Sequence, residues 1–235
     1  MGLITTTEEQ WPKCYRVISS RFPPVGIFEA VSDPDDLEGV YWIEGLTNPR
    51  IREEMGALEL VPSADRLAGP GTTPIMSAFT HPNPSGSRFS DGSYGVYYAT
   101  RCPDTAIAET LFHAERWAAE SHDPPTSFTM RMYIGELTHR PYHDLRGLRV
   151  SHPELYDPAP ESYAAPQALA ADLRASGSWG ILYGSVRLPG GECIAALRPP
   201  ALGAVRQSKH LAYIWDGARI TDTQLVRSLG VPGRS

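Results

Sequence analysis

Between Ser87 and Ala99 the chain passes through a glycine- and serine-rich turn carrying Arg88. It then enters the aromatic run Tyr94-Gly95-Val96-Tyr97-Tyr98, and a helical pattern holding Glu109 follows. That order restricts the architectures open to the chain, because it brings a guanidinium, a phenol and a carboxylate to one cleft from three backbone elements. Side chains alternate along a strand, so Tyr97 and Tyr98 point to opposite faces. One of them belongs to a core and the other faces the cleft. Far downstream, Gly180-Ile181-Leu182-Tyr183-Gly184-Ser185-Val186-Arg187 reads as a strand ending in a serine.

The elements around these segments can be read from periodicity. Pro103-Asp104-Thr105 starts a helix in which Ile107, Leu111, Ala114 and Ala118 recur at helical spacing, and Asp123-Pro124-Pro125 ends it. Lys13–Phe22 is predicted as a strand leading to a turn, and Arg50–Leu58 as a helix. Residues 61–92 are crowded with Pro, Gly, Ser and Thr, which predicts a long loop bordering the active site. Phe128–Leu137 alternates as a strand and feeds a loop with Pro141 and His143. Ala164–Ala175 is an alanine-rich helix closed by Gly177. Ile181–Val186 and Cys193–Leu197 pair as a hairpin around Pro189-Gly190-Gly191, and a last strand, Leu211–Trp215, precedes a short C-terminal helix. Strands come in clusters broken by helices, without regular βαβ alternation. The expected class is α+β, with small mixed or antiparallel sheets and flanking helices. One domain over 1–235, with an N-terminal elaboration at about 32–87, is the expected organisation.

Composition removes several functions. Lys and Arg number 21 against 27 Asp and Glu, a net charge of −6, and no basic block stands out. Direct nucleic-acid binding leans on clustered cations and is not expected. Cys14, Cys102 and Cys193 are widely spaced with no CxxC, against both a disulfide framework and a cysteine-rich zinc site. His139 and His143 have i, i+4 spacing but are interrupted by Pro141, and Glu109 with His113 offers only two ligands. No metal is expected. Met1–Trp11 lacks the pattern of a signal peptide and no apolar run approaches a membrane span, so a cytoplasmic protein without membrane contact is expected.

Glu109 is the sharpest chemical candidate. It is either a solvated helix carboxylate paired with Arg116 or His113, or a carboxylate drawn toward the interior, where it needs a partner. Arg88 is either a surface arginine or a planar fork for a phosphate. Arg16, between Tyr15 and Val17, wants an anion, from a structural ion pair or from a ligand. Tyr97 or Tyr98 can stack on a planar ring. Ser185 is a turn serine or a ligand contact; no Gly-x-Ser-x-Gly elbow surrounds it.

Arg88, Tyr98, Glu109 and Ser185, with Ser185-Val186-Arg187 intact, follow the order and spacing of the RES-domain toxins, which this chain resembles from Tyr15-Arg16-Val17 to about Pro199. Tyr163 and Gln167 also suit that pattern. Where many members have Arg-Trp-Asn, this chain has Arg88-Phe89-Ser90, so the asparagine is absent. The resemblance implies a fold similar to ADP-ribosyltransferases and a cleft for NAD+. It implies a toxin of a type II toxin–antitoxin system that cleaves the nicotinamide–ribose bond, as a glycohydrolase or phosphorylase, or else transfers ADP-ribose to a host protein. A cognate helix-turn-helix (Xre/ParS-like) antitoxin is the implied partner, and a homodimer within the toxin–antitoxin complex is compatible. In that reading Glu109 acts on the ribose, Tyr98 or Tyr97 fixes the nicotinamide, Arg88 and Arg16 meet the pyrophosphate, and Ser185 bonds the ribose or the amide. A catalytically silent binding protein is the rival from another class. A glycosidase-like hydrolase lacks a matched second carboxylate, Asp91 and Asp104 being the nearest.

Overall fold

The computed structural model describes residues 4–21 and 55–227, with a few positions between 28 and 39. Seven strands form one mixed sheet: β1 (Thr6–Ser19), β2 (Tyr97–Thr100), β3 (Thr126–Asp144), β4 (Gly180–Gly184), β5 (Glu192–Ala196), β6 (Arg206–Trp215) and β7 (Ile220–Val226). Their order is β1-β2-β5-β4-β3-β6-β7, and a further pairing of β1 with β3 closes the first five into a ring. Every pairing is antiparallel except β3 with β4, where His143 and Asp144 face Ile181 and Leu182. Among the described residues three helices pack on it: α1 (Thr73–Thr80), α2 (Pro103–Glu120) and α3 (Ala164–Ala175). The class is α+β, as expected, in a single sheet rather than several small ones. Among the described residues no helix is long and apolar enough to cross a membrane.

The strands of the ring bury both faces, and the period of two sorts their side chains. Tyr97, Ala99, Leu182, Ile194 and Ala196 join one core cluster with Ile75, Met76 and Phe79 of α1. Their neighbours Val96, Ile181, Tyr183, Cys193 and Ala195 join a second cluster with Leu169 and Ala170 of α3, and Tyr98 packs against it. A third, around Val17, Met130, Met132, Leu211 and Tyr213, takes the apolar stripe of α2 through Ala106, Ile107, Leu111 and Ala114.

Four expectations change. The segment 61–92 is not all loop: α1 lies within it, with Pro74 in its first turn, where a missing N–H removes no helical bond. β1 starts earlier than expected and runs through Pro12, which sits in a register shift between Trp11 and Cys14. β3 continues through Pro141 and His143. Pro141 pairs with Glu8 of β1 at a point where no other named strand flanks β3, so proline is tolerated there. The predicted C-terminal helix is instead β7, joined to β6 by the Asp216-Gly217 turn with Gly217 at φ 102°. Of the predicted helix Arg50–Leu58, residues 50–54 lie outside the described residues, as does much of 32–49; its last part, from Gly56, is not α-helical, because Gly56 takes φ 67° and a separate 3-10 turn begins at Leu58.

Candidate active site

The site assembles where α2 meets the β4–β5 hairpin. Ser185 immediately follows β4, and its N–H donates to the Gly191 carbonyl at 2.8 Å, closing the hairpin. The chain then turns sharply, and the Ser185 hydroxyl oxygen accepts from the backbone N–H groups of Arg187 (3.0 Å) and Leu188 (2.9 Å). With both amides pointing in, the hydroxyl proton must point out, and it donates to Oε1 of Glu109 at 2.6 Å. This is a short, charge-assisted hydrogen bond between residues 76 apart in sequence. Ser185 is buried and Glu109 half-buried on α2. Among the described residues the second carboxylate oxygen, Oε2, has no partner.

Around this pair the groups are neutral or cationic. The Cys193 thiol lies 3.9 Å from Oε1. Burial, with the Glu109 charge beside it, pushes this thiol well above its usual range, so it stays protonated and is no thiolate nucleophile. Burial likewise raises the phenol of Tyr183, which packs edge-on against Phe89 at 5.0 Å. One turn along α2, desolvation and the charges of Arg187, Arg116 and Arg88 push the His113 imidazole down to about 4, although the residue keeps one side open to solvent. His113 is therefore neutral near pH 7. It does not pair with Glu109, and neither does Arg116, which bonds Glu120 at 2.6 Å and Glu161 at 3.0 Å.

Arg88 sits in the two-residue connection of the Ser87–Ser90 turn, preceded by Gly86 at φ 73°. Tyr98 holds this turn from below: its hydroxyl bonds the Ser87 hydroxyl at 2.8 Å and accepts the Phe89 N–H at 2.9 Å. Burial raises the Tyr98 phenol despite those bonds, so it is neutral. Gln167 of α3 clamps the other side through the carbonyls of Ser87 and Ser90. Arg88 is 7% exposed; its guanidinium lies over Tyr163 at 4.5 Å and donates to the carbonyls of Leu155 (3.0 Å) and Asp157 (2.9 Å). The fork expected to grip a phosphate thus holds the 155–157 turn in this structure.

Tyr98, Glu109 and Ser185 share one side of the sheet with Arg88. Tyr97 and Arg16 lie on the other. Arg16 stacks over Tyr97 at 4.6 Å and donates to the Tyr98 carbonyl at 3.0 Å, so an aromatic face and a carbonyl stand where an anion was expected. Enclosure lowers the Arg16 pKa. Sequence reasoning missed Cys193, Phe112 and Arg149, whose Nη2 donates to the Ser185 carbonyl at 2.7 Å. No motif marks Arg149; only the fold brings its loop to Ser185. Among the described residues no group of three or more His, Cys, Asp or Glu could hold a metal ion.

A concavity of about 480 Å³ is lined by Phe112, Arg116, Glu120, Glu161 and Arg187; Phe112 is one helical turn from Glu109 and Arg187 is two residues from Ser185. A second of about 350 Å³, lined by Val61, Phe79, Tyr94, Arg174 and Arg198, lies apart from it.

The RES domain family matches residues 63–216, a span that contains Arg88, Tyr98, Glu109 and Ser185 and leaves Arg16 outside. A protein of Sinorhizobium fredii (strain NBRC 101917 / NGR234), described as uncharacterized protein y4oC, is 31% identical over 209 residues, 88% of this chain and 84% of that one. Among solved structures, a chain in the crystal structure of the M. tuberculosis MbcT–MbcA toxin–antitoxin complex aligns with a TM-score of 0.46 and 12% identity, covering 89% of this chain and 87% of its own length.

Proposed function

This chain belongs to the RES-domain family, and from that footing we propose that it is the toxin of a toxin–antitoxin pair that binds NAD+ and cleaves its nicotinamide–ribose bond. The observation that carries the reading is the 2.6 Å bond from Ser185 to Glu109, with the serine itself fixed by two backbone amides. Breaking an N-glycosidic bond builds positive charge on the ribose, as glycoside cleavage does. A carboxylate held in place near that charge stabilises it without reorganising. Ser185 pins Oε1, and Oε2 is left to meet a ribose hydroxyl or the incoming nucleophile. Nicotinamide departs as a neutral molecule, and water or phosphate adds at the ribose carbon. Glu109 is the catalytic carboxylate of this scheme, Ser185 its positioning residue, and Tyr98 with Arg88 shapes the wall beside them. A helix-turn-helix antitoxin would hold the activity in check.

Purified protein incubated with NAD+, with and without phosphate, tests the proposal when products are identified by mass spectrometry. Release of nicotinamide by the wild type, lost in Glu109→Gln, is the expected result. Unchanged NAD+ together with no labelled protein after incubation with labelled NAD+ in a lysate would sink it. Label on a lysate protein alone would replace NAD+ breakdown by ADP-ribosyl transfer.

A further inference from the structure

Three arginines surround the Glu109–Ser185 pair, and none of them has a carboxylate partner among the described residues. Arg88 and Arg149 are tied to carbonyls that hold the site together. Arg187 differs. Its guanidinium carbon lies over the Phe112 ring, 3.3 Å from the centroid, one N–H goes to the Pro158 carbonyl, and its Nε is buried without a hydrogen-bond partner among the described residues. A buried cationic donor left unsatisfied needs an explanation, and an anionic acceptor would supply one. Arg187 also lines the concavity of about 480 Å³, together with Phe112 and Arg116. Glu120 and Glu161 line it too and both bond Arg116, so among the described residues Arg187 is the cation of that lining without an ion-pair partner.

We propose that Arg187 is the phosphate-binding residue of this site and that the concavity between Phe112, Arg116 and Arg187 receives the diphosphate of the nucleotide. This rests on the NAD+ reading for the identity of the ligand, but not for the existence of an anion site. The backbone of Arg187 holds Ser185 while its side chain lines the cavity, so one residue links the diphosphate to the serine that positions the reacting carboxylate of Glu109. Stacking on Phe112 keeps the planar fork from rotating, which suits bidentate recognition of phosphate oxygens.

Calorimetric titration with ADP and with ADP-ribose, on wild type, Arg187→Gln, Arg187→Lys and Arg174→Gln, tests it. Arg174 lines the other concavity and serves as a charge-matched control. The wild type is expected to bind both ligands, Arg187→Gln to bind them at least tenfold more weakly, Arg187→Lys to recover part of the loss, and Arg174→Gln to match the wild type. Thermal melting of each variant separates loss of binding from loss of fold, and the lysine variant keeps the charge if glutamine does not fold. In steady-state cleavage of NAD+, the Arg187→Gln defect should fall mainly on KM. Wild type binding neither ligand, or Arg187→Gln binding as tightly as wild type, overturns the proposal. Arg187-dependent ADP binding without NAD+ cleavage would support the anion site and defeat the NAD+ reading. Cleavage with Arg187-independent binding would defeat the site and leave that reading standing.

Discussion

Ser185 shows how one hydroxyl can be made to do a single job. Two amide donors occupy its lone pairs, so its proton is committed to Glu109. Removing the carboxylate charge with Glu109→Gln should reduce the NAD+ cleavage rate by about 10²–10³-fold, the usual loss for a group that stabilises developing charge. Ser185→Ala should cost less, and the double variant should be little slower than Glu109→Gln alone, because the serine acts through the glutamate. A fully additive double variant would show that Ser185 touches substrate independently. Arg88 carries a different expectation. It is buried and bonded to two carbonyls, so Arg88→Leu should destabilise the protein by about 1.5–3 kcal/mol in chemical denaturation, as charged hydrogen bonds do when deleted. A stable but inactive Arg88→Leu would return that arginine to ligand binding.

At the scale of elements, two joints position the site. One is the approach of β2 to α1 at Gly95: a Cβ there would come within 2.2 Å of the Ala78 carbonyl oxygen and 2.3 Å of Phe79 Cα. Neither backbone atom can swing aside, so Gly95→Ala should cost at least about 1–3 kcal/mol, the range for overpacking, with a matching fall in Tm. The other is Arg146, which bonds Asp144 of β3, Glu9 of β1 and Glu192 of β5 at 2.6–3.1 Å. Burial works against charge on Asp144 and Glu192, yet their bonds to Arg146 outweigh it and hold both carboxyls below their usual values. Carboxyls depressed on folding add stability that is fully present above their unfolded pKa and is lost as pH falls through the folded one. The wild type should therefore lose stability as the pH drops below about 4, and Arg146→Gln should show a shallower loss over the same interval. Parallel denaturation curves for the two proteins would remove this clamp from the account.

Over the whole molecule, closure of the ring by β1 on β3 and extension by β6 and β7 serve different ends. The ring carries the site, whereas β6 covers β3 and supplies Leu211 and Tyr213 to the core under α2, where the Tyr213 hydroxyl bonds Thr110 at 2.7 Å. Truncation before Arg206 should leave the apolar stripe of α2 without its floor, and the shortened chain should be insoluble although every proposed site residue is retained. Soluble, NAD+-cleaving protein from that truncation would contradict this division.

The sequence by itself determined what local chemistry can determine. Proline and glycine punctuation with helical spacing marked α2 and α3, and the Ser185 hairpin was legible from its two apolar runs and the Pro189-Gly190-Gly191 turn. Arg88, Tyr98, Glu109 and Ser185 were singled out by the resemblance their order carries to the RES-domain pattern, and Tyr97 and Tyr98 were correctly placed on opposite faces by the strand period. Three things depended on tertiary structure. Helix α1 hid in a stretch rich in loop residues, because its stability comes from burying Ile75, Met76 and Phe79 rather than from propensity. Which tyrosine shares the face of Glu109 depended on the direction in which β2 meets β5, and it was Tyr98. The partners of the arginines depended on loops far away in sequence: Arg88 met the carbonyls of 155 and 157, and Arg16 met an aromatic ring. A charge in a sequence states only that it needs compensation, and the fold decides which distant atoms provide it.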